Sequence, residues 1–133
     1  MKKVLIVDDD ELVSKALRIR LQSQGFRITV AFDAVGAMES AVKDRPDVII
    51  LDINLPGGNG LIVAERLLAE SATTDLPIIF ITACDQQRLR ERAAELSAAA
   101  FLVKPFEAGE LLDAIDLATL WTSPTAATDR RAA

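Results

Sequence analysis

Five short apolar runs, separated by longer segments with helical spacing, set the strongest limit on what this chain can fold into. Their β-branched and aromatic residues suit strands, and their lack of polar alternation indicates strands buried on both faces. The runs are VLIV (4–7), ITVAF (28–32), VIIL (48–51), IIFI (78–81) and FLV (101–103). Strand and helix therefore alternate five times, which predicts a three-layer α/β sandwich around a parallel five-stranded sheet.

The segments between the runs carry signals for where helices begin and end. Gly25 is placed to end the first helix, and Asp33 and Asp85 are placed to cap the second and fourth. Pro46 and Pro77 each stand just ahead of a strand, where a preceding helix must already have stopped. These positions agree with the five-fold alternation.

Length and composition predict one domain followed by a short tail. The chain has 133 residues, half of them hydrophobic, which suffices for one sizeable core and not for two ordinary domains. We predict a single domain over residues 1–121. Residues 122–133, TSPTAATDRRAA, lose periodicity and are interpreted as a flexible tail or the start of a linker.

Charge and cysteine content exclude several kinds of site. The net charge is −5 without a basic run, which argues against direct nucleic-acid binding. Cys84 is the one cysteine and histidine is absent, so the chain can form neither an internal disulfide nor a Cys/His nucleophilic pair. Any bound metal must be held by oxygen. No apolar run reaches the length of a signal-peptide core or a membrane span, so we expect a cytoplasmic protein without membrane contact.

Polar residues stand just past four of the five predicted strands. Asp8 and Asp9 follow the first strand, Asp52 the third, Thr82 the fourth and Lys104 the fifth. In the flavodoxin-like strand order 2-1-3-4-5 the first and third strands are neighbours, so the three aspartates would converge at the carboxyl edge of the sheet. That edge is where ligands bind in such folds.

Three converging carboxylates repel one another and favour a hard cation. Two carboxylates about 4 Å apart repel by about 4 kcal/mol at an effective dielectric near 20, and one lysine cannot offset three such pairs. Mg²⁺, with Mn²⁺ as the alternative, takes oxygen ligands and leaves room for a phosphate oxygen. Asp10 and Glu11 are interpreted instead as favourable first-turn charges of the following helix.

Four motifs together resemble the receiver domain of two-component response regulators, the CheY-like superfamily. The segments VLIVDDD, VIILDINLPGGNG, IIFITA and FLVKPF occur in the family's order and spacing, and the resemblance covers roughly residues 3–120. It implies that Asp52 accepts a phosphoryl group from a sensor histidine kinase or a histidine phosphotransfer protein. It also implies that Asp8, Asp9, Asp52 and the backbone carbonyl of Asn54 hold Mg²⁺.

The resemblance further implies a switch that connects the site to a surface. Thr82 and Lys104 would bind phosphoryl oxygens, and Thr82 with Phe101 would bias the surface formed by the fourth helix, fifth strand and fifth helix. The bond between Lys104 and Pro105 is expected to be cis. Ser97 stands where the family often has glycine, so the turn after the fourth helix is expected to lack its usual left-handed residue.

Several alternatives stay open from the sequence. Phe101 serves equally well as a core residue, and the receiver fold can act as a binding module without phosphate. Asp8 and Asp10 form a D-x-D pattern that resembles haloacid-dehalogenase-type phosphatases, although that interpretation leaves Asp52 unexplained. We expect a phosphoacceptor switch and not an enzyme.

The output also stays open from the sequence. The chain is either a stand-alone receiver or the amino-terminal receiver of a longer regulator. The start at Met1 disfavours a piece from the far end of a hybrid kinase. Apolar residues of the fifth helix predict a downstream protein target or self-dimer, with ordinary packing as the alternative; they are Leu112, Leu117, Leu120 and Trp121.

Overall fold

A parallel five-stranded sheet forms the centre of the molecule. The structure, a computed structural model, describes residues 2–120. The sheet strands are β1 (Lys3–Val7), β2 (Arg27–Ala31), β3 (Val48–Asp52), β4 (Ile78–Thr82) and β5 (Ala100–Val103). The helices are α1 (Glu11–Ser23), α2 (Ala34–Asp44), α3 (Gly60–Ala69), α4 (Gln87–Glu95) and α5 (Ala108–Leu120). The strand order is β2-β1-β3-β4-β5 and all pairs are parallel, which confirms the predicted fold.

Two hydrophobic clusters cover the two faces of the sheet. Along β1, Leu5 and Val7 point into the cluster that contains α2, α3 and α4, while Val4 and Ile6 point into the cluster beneath α1 and α5. Each face of a strand takes alternate side chains, so a strand covered on both faces must be apolar throughout. This explains why the runs of β1, β3 and β4 lack alternation. For β2 and β5 the prediction of burial on both faces is wrong, because these strands form the edges of the sheet and are only partly buried.

Aspartates cap the starts of α1 and α2, and a glycine follows the end of α1. Of these, Asp33 and Gly25 are where the sequence predicts, whereas Asp10 was expected as a first-turn charge. The Asp10 side chain accepts hydrogen bonds from the amides of Leu12 (3.0 Å) and Val13 (3.1 Å), and so caps α1. The Asp33 side chain accepts one from Gly36 N at 2.7 Å at the start of α2. Gly25 follows α1 with φ +91°, the left-handed conformation that ends helices.

Two predictions about α4 are wrong. Its N-cap is Gln86, which makes no side-chain capping bond, while Asp85 turns to the side chain of Arg90. An arginine within reach competes with the backbone for this carboxylate. After α4, Ser97 itself takes the left-handed conformation at φ +59°, so the turn is not missing such a residue. Hydrogen bonds Ser97 N to Ala94 O and Ala98 N to Ala93 O, both 3.0 Å, hold the serine there.

The predicted apolar surface of α5 lies only partly within the described residues. Leu117 is 69% exposed and Leu120 is 75% exposed, whereas Leu112 packs against the core. Trp121, the fourth residue of the predicted apolar surface, lies outside the described residues, as does the predicted tail over 122–133. No helix within residues 2–120 is both long and apolar enough to span a bilayer.

Candidate functional site

Three aspartates converge at the carboxyl edge of the sheet. Each of Asp8, Asp9 and Asp52 offers a carboxylate oxygen, and these oxygens all lie within 4.8 Å of one another. The register explains the meeting, since Val7 in β1 pairs with Leu51 in β3 and the two strands end together. Asp8 is fully buried and Asp52 is 4% exposed, whereas Asp9 is exposed to solvent. The cluster therefore has two buried members, Asp8 and Asp52, and is open to solvent at Asp9.

Lys104 supplies the positive charge nearest to the two buried acids. Its Nζ donates to Asp8 Oδ2 and to Asp52 Oδ2, each at 2.8 Å. Burial raises the pKa of Asp52, and the hydrogen bond from Lys104 opposes that rise only in part. Burial disfavours the charge on Lys104, but its hydrogen bonds to Asp52 and Asp8 outweigh this and raise its pKa. Three carboxylates against one ammonium leave the site electronegative.

Backbone amides fix the other oxygens of the buried carboxylates. Asp8 Oδ1 accepts a hydrogen bond from Asp10 N at 2.9 Å, and Asp52 Oδ1 accepts one from Asn54 N at 3.0 Å. Each carboxylate is thus held at both oxygens, one by an amide and one by Lys104. Because the Asp52 carboxylate is already held in one orientation, its side chain loses little conformational entropy when a ligand binds.

Thr82 stands on the far side of Asp52 at the end of β4. It is fully buried, and its Oγ1 accepts a hydrogen bond from Cys84 N at 3.1 Å. Lys104 N donates to Thr82 O at 2.8 Å, so the backbones of the two residues are tied together. The peptide bond from Lys104 to Pro105 is cis, as the resemblance implies.

The donor set fits a hard divalent cation. Mg²⁺ binds through one or two carboxylates and keeps further positions for water and phosphate oxygens. The acid cluster supplies only oxygen donors, and an open cavity of about 490 Å³ adjoins it on the side of Asp9. The cavity is lined by Asp9, Ile53, Asn54, Leu55, Pro56, Gly58 and Asn59. Asn54 therefore lies beside the carboxylates, where its backbone was expected to face a metal.

A short ribbon and a glycine complete the site, and the sequence interpretation missed both. Asn54–Leu55 pairs antiparallel with Gly58–Asn59, and Gly57 takes φ +73° in the turn between them. At Gly60 an added Cβ would lie 2.2 Å from Asp52 O and 2.8 Å from Ile53 Cα. Glycine in the run PGGNG was the available signal, but nothing in the sequence distinguished Gly60 from its neighbours.

Phe101 and Asp10, the remaining residues of the predictions, are not members of the acid cluster. Phe101, in β5, is half-buried and packs against the core beneath α4. The Arg90 guanidinium carbon lies 4.8 Å from the centre of its ring. Asp10, the second aspartate of the D-x-D pattern, caps α1. The phosphatase interpretation therefore loses its second acid.

Removal of the Lys104 charge is expected to destabilise the protein in a way that Mg²⁺ reverses. In Lys104→Ala the buried carboxylates of Asp8 and Asp52 lose their cation, which we expect to lower the free energy of unfolding by about 1–3 kcal/mol without metal. Urea unfolding in EDTA and in millimolar Mg²⁺ measures this. Lys15→Ala, an exposed lysine of α1, is the control. An equal loss with and without Mg²⁺ would argue that Lys104 does not balance the acid cluster.

The fold and the site together define a class of protein. A flavodoxin-like sheet with an acid cluster and one lysine at its carboxyl edge is the arrangement of receiver domains. The family model for the response regulator receiver domain matches residues 4–116, and the chain belongs to that family.

Relatives and solved structures agree with this assignment. The chain is 42% identical over 112 residues to the response regulator MprA of Mycobacterium ulcerans (strain Agy99), covering 83% of this chain and 47% of MprA. It is 34% identical over 112 residues to the DNA-binding dual master transcriptional regulator RpaA of Synechocystis sp. (strain ATCC 27184 / PCC 6803 / Kazusa), covering 84% of this chain and 46% of RpaA. The chain thus spans about half the length of these curated relatives.

Two solved structures illustrate the likeness of the fold. The non-phosphorylated HemR receiver domain of Leptospira biflexa superposes with a TM-score of 0.84 at 33% identity, covering 93% of this chain and 98% of that domain. The receiver domain of the sensor histidine kinase PA1611 of Pseudomonas aeruginosa PAO1 has a TM-score of 0.82 at 28% identity, covering 90% and 98%. That second structure holds a magnesium ion in its active-site cleft.

Proposed function

We propose that the protein is a phosphorylation-dependent signalling switch in which Asp52 accepts a phosphoryl group. The observation that carries the proposal is the meeting of Asp8, Asp9 and Asp52 within 4.8 Å, with Lys104 bonded to Asp8 and Asp52 at 2.8 Å. A packed core does not need this concentration of charge, because buried acids cost stability unless they are paired. Phosphoryl transfer does need it, since positioning and charge neutralisation supply most of the catalysis.

In the proposed reaction an Asp52 carboxylate oxygen attacks phosphorus. A bond from that oxygen to phosphorus forms as the bond from phosphorus to the donor nitrogen breaks. The phosphohistidine reacts protonated at its other ring nitrogen, so its imidazole leaves as the neutral base. Lys104 and Thr82 pair with oxygens of the transferred group. The metal, held by Asp8, Asp9, Asp52 and the carbonyl of Asn54, supplies charge neutralisation when bound. No histidine of this chain is needed, because the attacking carboxylate has no proton to lose.

The donor is proposed to be a sensor histidine kinase or a histidine phosphotransfer protein. Family membership supports this class of partner. The open side of the acid cluster, beside Asp9 and the cavity toward Asn59, gives a donor access to Asp52. We place the protein in the cytoplasm, where the lone Cys84 is compatible with a reducing environment.

The output is proposed to leave through the surface of α4, β5 and α5. A self-dimer or a downstream protein target would bind there. Relatives of about twice the matched length, one of them DNA-binding by name, point to a further output domain in such proteins. The receiver surface itself is proposed to act by protein contact, without direct nucleic-acid binding, given the net charge of −5.

The experiment uses a small phosphoryl donor in place of the unknown kinase. Incubation with phosphoramidate and millimolar Mg²⁺ is expected to add the mass of one phosphoryl group, read by intact mass spectrometry. EDTA and the Asp52→Asn substitution should each abolish the gain. A folded protein that gains no mass at millimolar donor would contradict the proposal and favour a binding module that works without phosphate.

A further inference from the structure

The side chain of Arg90 contacts both the loop after β4 and an aromatic ring of β5. Its Nε donates to Asp85 Oδ1 at 2.6 Å, and its guanidinium carbon lies 4.8 Å from the centre of the Phe101 ring. Asp85 lies in the loop between β4 and α4, three residues after Thr82. Phe101 lies in β5, where it pairs in register with Phe80 of β4. One side chain thus touches both the loop after Thr82 and the aromatic ring.

We infer that Arg90 is a latch that holds the Phe101 ring in the unphosphorylated arrangement and couples it to the loop after Thr82. This inference rests on the proposed phosphorylation of Asp52 for its role in signalling. The contacts themselves belong to the state described above, in which Lys104 is bonded to Asp8 and Asp52.

Phe101 needs such a contact because phenylalanine has no hydroxyl group. A tyrosine could hold one orientation through a hydrogen bond, whereas a phenylalanine ring is oriented by packing and by charges over its face. A guanidinium within 6 Å of a ring centre is attracted by the ring quadrupole. The hydrogen bond to Asp85 fixes where the guanidinium lies, and it lowers the pKa of the Asp85 carboxyl accordingly.

Because α4 buries little surface, a single surface contact such as that of Arg90 can influence the position of the helix. Ala93 is the only fully buried residue that α4 contributes within the described chain, and the helix begins without a side-chain cap. A helix with so little buried surface shifts at low cost, so surface contacts decide its position. A second arginine of the same helix, Arg92, pairs with Glu65 and Glu95 and makes no described contact with Phe101.

Phosphorylation would act on the latch through Thr82. A phosphoryl group on Asp52 offers the Thr82 hydroxyl a new partner, and Thr82 is bonded to Cys84 N at 3.1 Å. A shift of this segment moves Asp85, which draws Arg90 away from Phe101 and frees the ring. If the latch stabilises the unphosphorylated state by a given factor, removal of the latch must strengthen the binding of a phosphoryl mimic by that same factor.

The first test observes the ring without phosphorylation. Protein labelled with 4-fluorophenylalanine gives a fluorine resonance for each of its five phenylalanines, and Phe101→Leu identifies the one of interest. Arg90→Gln and Asp85→Asn should both move the Phe101 resonance in the same direction. Arg92→Gln, the matched control, should leave it in place. An unmoved resonance in Arg90→Gln would overturn the latch whether or not Asp52 accepts phosphate.

The second test measures coupling to the site. Beryllofluoride with Mg²⁺ serves as the phosphoryl mimic, and Arg90→Gln should bind it about three- to tenfold more tightly than the wild type. In the Phe101→Leu background that gain should vanish. Equal affinities would overturn the coupling. Absence of binding in the wild type would overturn the proposed function. The fluorine experiment would still test the contact between Arg90 and Phe101, because it does not depend on phosphorylation.

Dilution separates a latch within one molecule from a contact between molecules. Arg90 is 43% exposed, so a partner subunit could also reach it. The affinity difference between Arg90→Gln and the wild type should stay the same over a hundredfold range of protein concentration. A difference that disappears on dilution would assign Arg90 to an interface between copies and overturn the latch.

Discussion

Asp9→Asn is expected to weaken Mg²⁺ binding and Mg²⁺-dependent phosphorylation by at least about 10–100-fold while leaving the fold intact. Asp9 is the exposed member of the acid cluster, so its carboxylate can be replaced without stranding a buried charge. An amide oxygen is a weaker ligand than a carboxylate and leaves the remaining pair with less negative charge. Calorimetric Mg²⁺ titration and the phosphoramidate rate as a function of Mg²⁺ concentration measure the two effects.

The neighbouring aspartate provides the matched control. Asp10→Asn removes the same charge one residue away, but the asparagine oxygen can still accept the capping bonds from Leu12 N and Val13 N. We expect Asp10→Asn to alter Mg²⁺ affinity less than about threefold, because its carboxylate serves α1. Equal losses in the two variants would show a general charge effect and would count against Asp9 as a metal ligand.

Gly60→Ala is expected to lower the free energy of unfolding by about 3 kcal/mol. Its Cβ would meet the backbone of Asp52 and Ile53 at 2.2 and 2.8 Å, and backbone atoms cannot turn aside as a side chain can. The hydrogen bond from Gly60 N to Ile53 O, at 2.7 Å, holds the segments at this distance. Because the clash falls on the Asp52 carbonyl, phosphorylation of the folded variant should also slow.

A second glycine tests whether the effect is steric. Gly109, in α5, has nothing within 4 Å of an added Cβ, so Gly109→Ala should stabilise the protein by about 0.4–1 kcal/mol. Urea unfolding followed by circular dichroism compares both variants with the wild type. If Gly60→Ala were as stable as Gly109→Ala, the close approach of Gly60 to Asp52 would not limit this position.

Local patterns in the sequence sufficed for the architecture and for the location of the acid cluster. The apolar runs of β1, β3 and β4 are buried on both faces, whereas those of the edge strands β2 and β5 are only partly buried. Period and composition indicate burial but not a strand's position in the sheet. Asp8, Asp9 and Asp52 could be placed together because parallel strands end at a common edge. The cap at Asp33 followed from residue type next to a helical pattern. Asp10, expected as a first-turn charge, instead caps α1.

Contacts between distant side chains could not be predicted in this way. Asp85 was expected to cap α4, but Arg90 lies five residues on and competes for it. Whether Ser97 takes a left-handed conformation depends on the bonds that hold it, and propensity alone argued against it. The approach of Gly60 to Asp52 depends on the path of the ribbon at 54–59. Each of these features depends on geometry that only the folded chain provides.

The most direct test of the account is to locate the phosphoryl group on the chain. After treatment with phosphoramidate and Mg²⁺, tandem mass spectrometry of the tryptic peptide 44–66 separates Asp52 from Asp44 and Asp47. We predict a phosphoryl group on Asp52 alone, absent in EDTA and absent from the corresponding peptide of Asp52→Asn. A phosphoryl group on another residue, or a folded protein that acquires none, would contradict the proposed function.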